Sequence, residues 1–102
     1  MKFDKLVRDK IPAIIEKKGK TARIHIADEI EYESKLLDKL QEEVDEFMAD
    51  QNLEEISDIL EVIYAILEFK GYKLTDLEAA RARKHKEKGG FVKKIILDEV
   101  SD

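Results

Sequence analysis

The sequence predicts an all-α fold: a helical bundle completed by oligomerisation, with a small two-stranded β-ribbon from residues near 22–27 and 91–97. Three observations carry this. Charged residues make up 42% of the chain and apolar residues 43%, a mixture that suits amphipathic helices better than disorder. Two long stretches, from Asp28 to about Met48 and from Asn52 to Lys70, repeat their apolar residues with helical spacing. The single proline and the four glycines fall between or at the ends of such stretches. At 102 residues the chain has room for one domain, residues 1–102, and one core.

Residues 9–18 read as a short helix, with Asp9 as its cap, Pro12 in the first turn and Gly19 as its stop. Residues 22–27 alternate, with Ile24 and Ile26 on one side, which is a short strand signal. Asp28 and Glu31 then form a variant of the capping box. On the helix they open, Leu36, Leu40 and Phe47 lie within about 60° of Glu43, so Glu43 interrupts an apolar row. Ala49–Gln51 make a short connection, which favours an antiparallel helix pair.

Asn52, with Glu55 three residues on, caps the next helix, Leu53 to about Lys70, which stops before Gly71. Its apolar residues cover most of its circumference, and Asp58 lies in line with Val62 and Ala65. A helix this apolar is covered on more than one side, and in so short a chain a second protomer is the expected cover. Thr75 and Glu78 signal a last helix from about Leu77 to His85, basic toward its end and broken by Gly89–Gly90. Residues 91–97 (FVKKIIL) read as the second strand of the ribbon, which must pack on the helices to be stable.

The composition excludes several functions. With no cysteine there are no disulfides, zinc thiolates or thiol nucleophiles. Two histidines do not make a multi-histidine metal site, and His25 and His85 are assigned to the surface. No apolar run approaches the roughly 20 residues that span a bilayer, and the first residues have no secretory h-region, so the expectation is a soluble cytoplasmic protein without membrane contact. The net charge of −5 argues against a nucleic-acid duplex as partner.

The informative feature is a set of acids at the facing ends of the two long helices. Glu43 and Glu46 are one turn apart, and so are Glu55 and Asp58. In an antiparallel hairpin these four carboxylates converge. Converging like charges need compensation, and an oxygen-only cluster suits Mg²⁺, with Mn²⁺ as the alternative. Acidic helix surfaces are ordinary, and a solvated face also accounts for the charges. Against that stand Glu43 within a leucine row and Asp58 beside Val62 and Ala65, because a carboxylate on an apolar seam is costly unless paired or metal-bound.

The chain resembles the MazG-like all-α nucleoside triphosphate pyrophosphatases, whose pattern is ExxE followed by ExxD on the next helix. EEVDE (Glu42 to Glu46) and EEISD (Glu54 to Asp58) stand in those places. It is most similar to a branch of predicted house-cleaning pyrophosphatases related to phosphoribosyl-ATP pyrophosphohydrolase. The matching blocks are KLVRDKIP (Lys5 to Pro12), Glu42 to Phe47, Asp58 to Ile63, and the GGF-plus-basic segment from Gly89 to Lys94. They span nearly the whole chain. The separation of the two motif halves, residues 47–54, is short for the wider superfamily.

The resemblance implies hydrolysis of a nucleoside triphosphate between its α and β phosphates, giving the monophosphate and pyrophosphate. It implies Glu43, Glu46, Glu55 and Asp58 as ligands of Mg²⁺ or Mn²⁺, and a homodimer or higher homo-oligomer. Glu42 or Glu46 is then the candidate general base. Arg8, Lys10, Arg81, Lys84 and Lys88 are the candidate phosphate contacts. Tyr32, Phe47 and Phe91 are candidates for a base pocket. No Gly-rich Walker loop is present. Two other readings stay open: phosphoribosyl-ATP as substrate, and a non-catalytic helical dimerisation or adaptor module.

Overall fold

The computed structural model describes residues 3–102 and contains four helices: α1 (Ile11–Lys17), α2 (Glu29–Asp50), α3 (Leu53–Lys70) and α4 (Leu74–Lys88). Their ends follow from local chemistry. The Asp28 carboxylate accepts from the Glu31 backbone N–H at 2.8 Å, and the Asn52 side chain accepts from Glu55 N–H at 3.0 Å. Gly71, at φ 81°, closes α3: its N–H donates to Glu68 O, and Tyr72 N–H donates to Leu67 O.

Three boundaries differ from expectation. The cap of α1 is Lys10 rather than Asp9, with no side-chain cap bond, and Pro12 sits in the first turn. Helix α2 continues to Asp50 and ends on Gln51 in the left-handed region (φ 52°), whose N–H donates to Phe47 O. Only Gln51 and Asn52 therefore separate α2 from α3. Helix α4 starts at Leu74, since Asp76 rather than Glu78 accepts the N-terminal N–H, that of Lys73 at 2.8 Å.

The two-residue connection folds α2 and α3 into an antiparallel hairpin, the main packed unit of the chain. Leu36 of α2 and Val62 of α3 are its buried hydrophobic residues, and Glu43, two turns on from Leu36, is buried as well. At the open end of the hairpin the rings of Tyr32 and Phe69 meet edge-to-face at 5.5 Å. Helices α3 and α4 border a largely apolar groove of about 520 Å³ lined by Leu60, Tyr64, Leu74 and Leu77, with Glu78 and Arg81 at its edge.

The expected β-ribbon is not formed: among the described residues there is no strand, and residues 22–27 and 91–97 are irregular. Alternation makes a strand possible, but a strand pair also needs a face to pack on. Ile26 is 88% exposed and Phe91 96% exposed, so the large apolar side chains of these segments have no face to pack on.

The chain measures 63 × 31 × 24 Å with a radius of gyration of 18.4 Å, where a compact domain of this length has about 13 Å. Exposed apolar side chains extend along α2, α3, α4 and the last ten residues, among them Leu37, Met48, Leu53, Ile96 and Val100. An extended, mostly exposed helical chain of this kind points to a partner or an oligomer. Among the described residues no helix is long and apolar enough to cross a membrane.

Candidate metal centre

The hairpin decides where the acids meet. One-turn spacing puts Glu43 and Glu46 on neighbouring positions of α2, and Glu55 and Asp58 on neighbouring positions of α3. The tight connection sets the end of α2 beside the start of α3. Each of the four residues offers one carboxylate oxygen, and those oxygens all lie within 4.8 Å of one another.

Burial differs across the cluster. Glu43 is only 6% exposed, on the same face of α2 as Leu36, while Glu46 is exposed and Glu55 and Asp58 are half-buried. Glu43 Oε2 and Glu55 Oε2 are fully covered and accept no hydrogen bond. Buried carboxylate oxygens without donors are costly. Two cations lean on the cluster: Lys39 Nζ lies 3.2 Å from Glu43 Oε1, and Arg8 Nη2 donates to Asp58 Oδ1 at 2.7 Å. Four ionised carboxylates facing two cations leave two negative charges uncompensated.

The titration behaviour reflects this crowding. Glu43, which a protonated Glu46 can hydrogen-bond and which repels an ionised one, pushes Glu46 above the usual carboxylate range. Burial of the Glu55 carboxyl group, followed by repulsion from Asp58, Asp50 and Glu43, pushes Glu55 up. Glu42 goes the other way: hydrogen bonds from Lys39 (2.7 Å) and Lys5 (2.8 Å) hold it below that range. Burial works against the charge of Lys39, but its bonds to Glu42 and Glu43 outweigh this and raise its pKa.

An all-oxygen donor set without thiolate or imidazole suits a hard divalent cation. The surplus of two negative charges and the unpartnered oxygens of Glu43 and Glu55 fit the same ion. The cluster can thus hold a divalent metal.

The other candidate residues scatter. Arg8 reaches the cluster because residues 3–10 cross α2 as a strap, pinned by Lys5 on Glu42 and by Lys35, whose Nζ donates to Asp4 O at 2.7 Å. Lys10 caps α1 and, like Lys84 and Lys88, makes no ion pair among the described residues. Arg81 is tied to Glu78 on its own helix, its Nε donating at 3.0 Å. Leu74 and Leu77 of α4 border the Leu60 and Tyr64 face of α3, roughly 120–180° around that helix from Glu55 and Asp58. Within one chain, Arg81, which lines that groove, is therefore on the far side of α3 from the carboxylates.

The candidate aromatics also separate. Tyr32 is committed to Phe69 at the other end of the hairpin, about 16 Å along α2 from Glu43. Phe91 stands in solvent. Only Phe47, half-buried one turn from Glu43, is near the site. His25 faces out as expected and pairs with Glu31 at 2.9 Å.

Two residues at the site were not among the candidates, Lys39 and Lys5. The signal for Lys39 is its spacing of three and four residues from Glu42 and Glu43. No sequence spacing predicts the contact of Lys5, which spans 37 residues. Comparison of the chain with family models, curated proteins and solved structures finds no match.

Proposed function

We propose that this chain is a Mg²⁺-dependent nucleoside triphosphate pyrophosphohydrolase acting as a homo-oligomer. The observation that carries the reading is the convergence of Glu43, Glu46, Glu55 and Asp58, with a buried Glu43 oxygen lacking a donor. These four side chains would hold Mg²⁺ or Mn²⁺. When bound, the ion neutralises phosphate charge and lowers the pKa of a bound water.

The protein's own groups divide the remaining work. Glu46 is exposed at the edge of the cluster, so it is the better-placed proton acceptor. Glu42 is locked between two lysines and is a weaker base. Arg8 at the rim of the cluster supplies a phosphate contact. Arg81 lines the groove on the Leu60 and Tyr64 side of α3, away from the carboxylates, so any contact it makes with phosphate comes from a neighbouring protomer.

The test is pyrophosphate release from a panel of ordinary and modified nucleoside triphosphates with MgCl₂. Release that vanishes in Glu43→Ala and Asp58→Ala supports the reading. If no triphosphate is cleaved and calorimetry detects no Mg²⁺ binding, the reading fails.

One observation favours a second reading. The exposed apolar side chains along α3 and α4 suit a non-catalytic dimerisation or adaptor module equally well. That reading leaves the buried carboxylate of Glu43 without a purpose, and the same panel separates the two.

A further inference from the structure

Asp58 already has a partner. Its Oδ1 accepts from Arg8 Nη2 at 2.7 Å, and that oxygen belongs to a carboxylate of the converging set. Both side chains are substantially exposed, at 54% for Arg8 and 37% for Asp58. An ion pair this open to water is weakly held and readily exchanged. Glu43 is more than nine-tenths buried and its Oε2 has no donor, even with Lys39 Nζ 3.2 Å from Oε1, so the cluster calls for more positive charge than Arg8 and Lys39 supply. Arg8 lies in the irregular strap ahead of α1, not on a helix, so its side chain can move without unwinding one. Lys5 on Glu42 and Lys35 on the Asp4 carbonyl keep that strap beside the site whether or not Arg8 is bound to Asp58.

Resting on the metal-site reading above, we infer that Arg8 is an exchangeable counter-ion: a divalent metal displaces it from Asp58, and the freed guanidinium becomes the anion-binding group of the site. Arg8 and the metal compete for the same carboxylate, so metal binding without an anion is weakened by Arg8. With an oxyanion present, the planar guanidinium has a bidentate partner of its own, and the two ligands support each other through Arg8. The ligand class is a phosphate or diphosphate group carried on the metal.

Calorimetry on the full chain tests this with MgCl₂ or MnCl₂ alone, and then with inorganic pyrophosphate at saturating metal. The variants are Arg8→Gln, Arg8→Lys and, as a control for one lost surface charge, Lys17→Gln. Arg8→Gln is expected to bind metal alone roughly two- to five-fold more tightly. The same variant is expected to bind pyrophosphate about ten-fold or more weakly. Arg8→Lys keeps the charge without the planar fork, so its metal affinity stays near that of the wild type and its pyrophosphate affinity falls between the two.

The opposite signs are the signature, because a merely structural Arg8 would weaken both affinities together. Metal binding that is unchanged or weaker in Arg8→Gln, or equally tightened in Lys17→Gln, overturns the exchange while leaving the metal site standing. Absence of metal binding in the wild type and in Arg8→Gln alike overturns the metal-site reading, and the inference with it.

Discussion

Lys39 Nζ sits 3.2 Å from Glu43 Oε1, one turn back on the same helix, and also holds Glu42 at 2.7 Å. The lysine is largely shielded and Glu43 is buried, so the pair carries charge into the packed seam of the hairpin. Removing the lysine would leave Glu43 without its resident cation.

Lys39→Met should therefore destabilise the metal-free protein by about 1–3 kcal/mol, the range for leaving a buried polar group unsatisfied. Saturating Mg²⁺ should recover part of the loss, because the ion compensates the same carboxylate. Thermal melts with EDTA and with MgCl₂ measure both effects. Equal losses in the two conditions would show that the metal does not reach Glu43.

The pH dependence has two opposing parts. Glu46 and Glu55 are held above the usual carboxylate range, by Glu43 and by burial respectively. A raised folded pKa means the folded chain binds protons more tightly than the unfolded one. Metal-free stability should thus rise as the pH falls from neutral through those raised values, with the gain complete below the unfolded value of about 4.3. Glu42, held low by Lys39 and Lys5, contributes stability above that unfolded value and loses it as the pH falls through its lower folded one. Denaturant titrations in EDTA should show a maximum on the acid side of neutrality. Metal affinity should fall over the window in which stability rises, since protons and metal compete for Glu46 and Glu55.

Gln51 occupies the left-handed region at φ 52° with an ordinary side chain. Relieving that conformation with Gln51→Gly should stabilise the chain by about 0.5–1 kcal/mol, less than the full left-handed cost because glycine also loosens the unfolded chain. Equilibrium unfolding reads the change. Metal affinity should be unchanged, since Gln51 is not among the four carboxylates.

Tyr32 and Phe69 close the hairpin at the end away from the acids. A double-mutant cycle with Tyr32→Leu and Phe69→Leu should give a coupling of about 0.5–1.5 kcal/mol. Metal binding should persist in each single variant. Its loss in Tyr32→Leu would place Tyr32 nearer the site than the hairpin geometry allows.

The groove between α3 and α4 is apolar and open. If a second copy of the chain covers this face, Leu60→Glu with Leu77→Glu should lower the mass measured by light scattering on a sizing column. An unchanged mass would move the assembly surface elsewhere.

The helices themselves were largely legible. Asp28 and Asn52 announce the starts of α2 and α3, and Gly71 the end of α3, because capping is local chemistry that acts over three or four residues. The acidic set was legible for the same reason: one-turn spacings and a short connection are local quantities, and the hairpin they define brings four carboxylate oxygens within 4.8 Å. The β-ribbon that the sequence predicts does not form, because residues 22–27 and 91–97 have strand periodicity without a surface to lie on. Whether such a surface exists depends on parts of the molecule remote from both segments.

By itself, then, the sequence determined the helices, the antiparallel pair and the site of the acids. Only the tertiary structure decided which cations serve them. Arg8 reaches Asp58 across fifty positions and Lys5 reaches Glu42 across 37, while Arg81 is carried to the Leu60 and Tyr64 side of α3. Long-range contacts of this kind follow from how a strap and a helix settle on the hairpin, and charge composition does not specify that path.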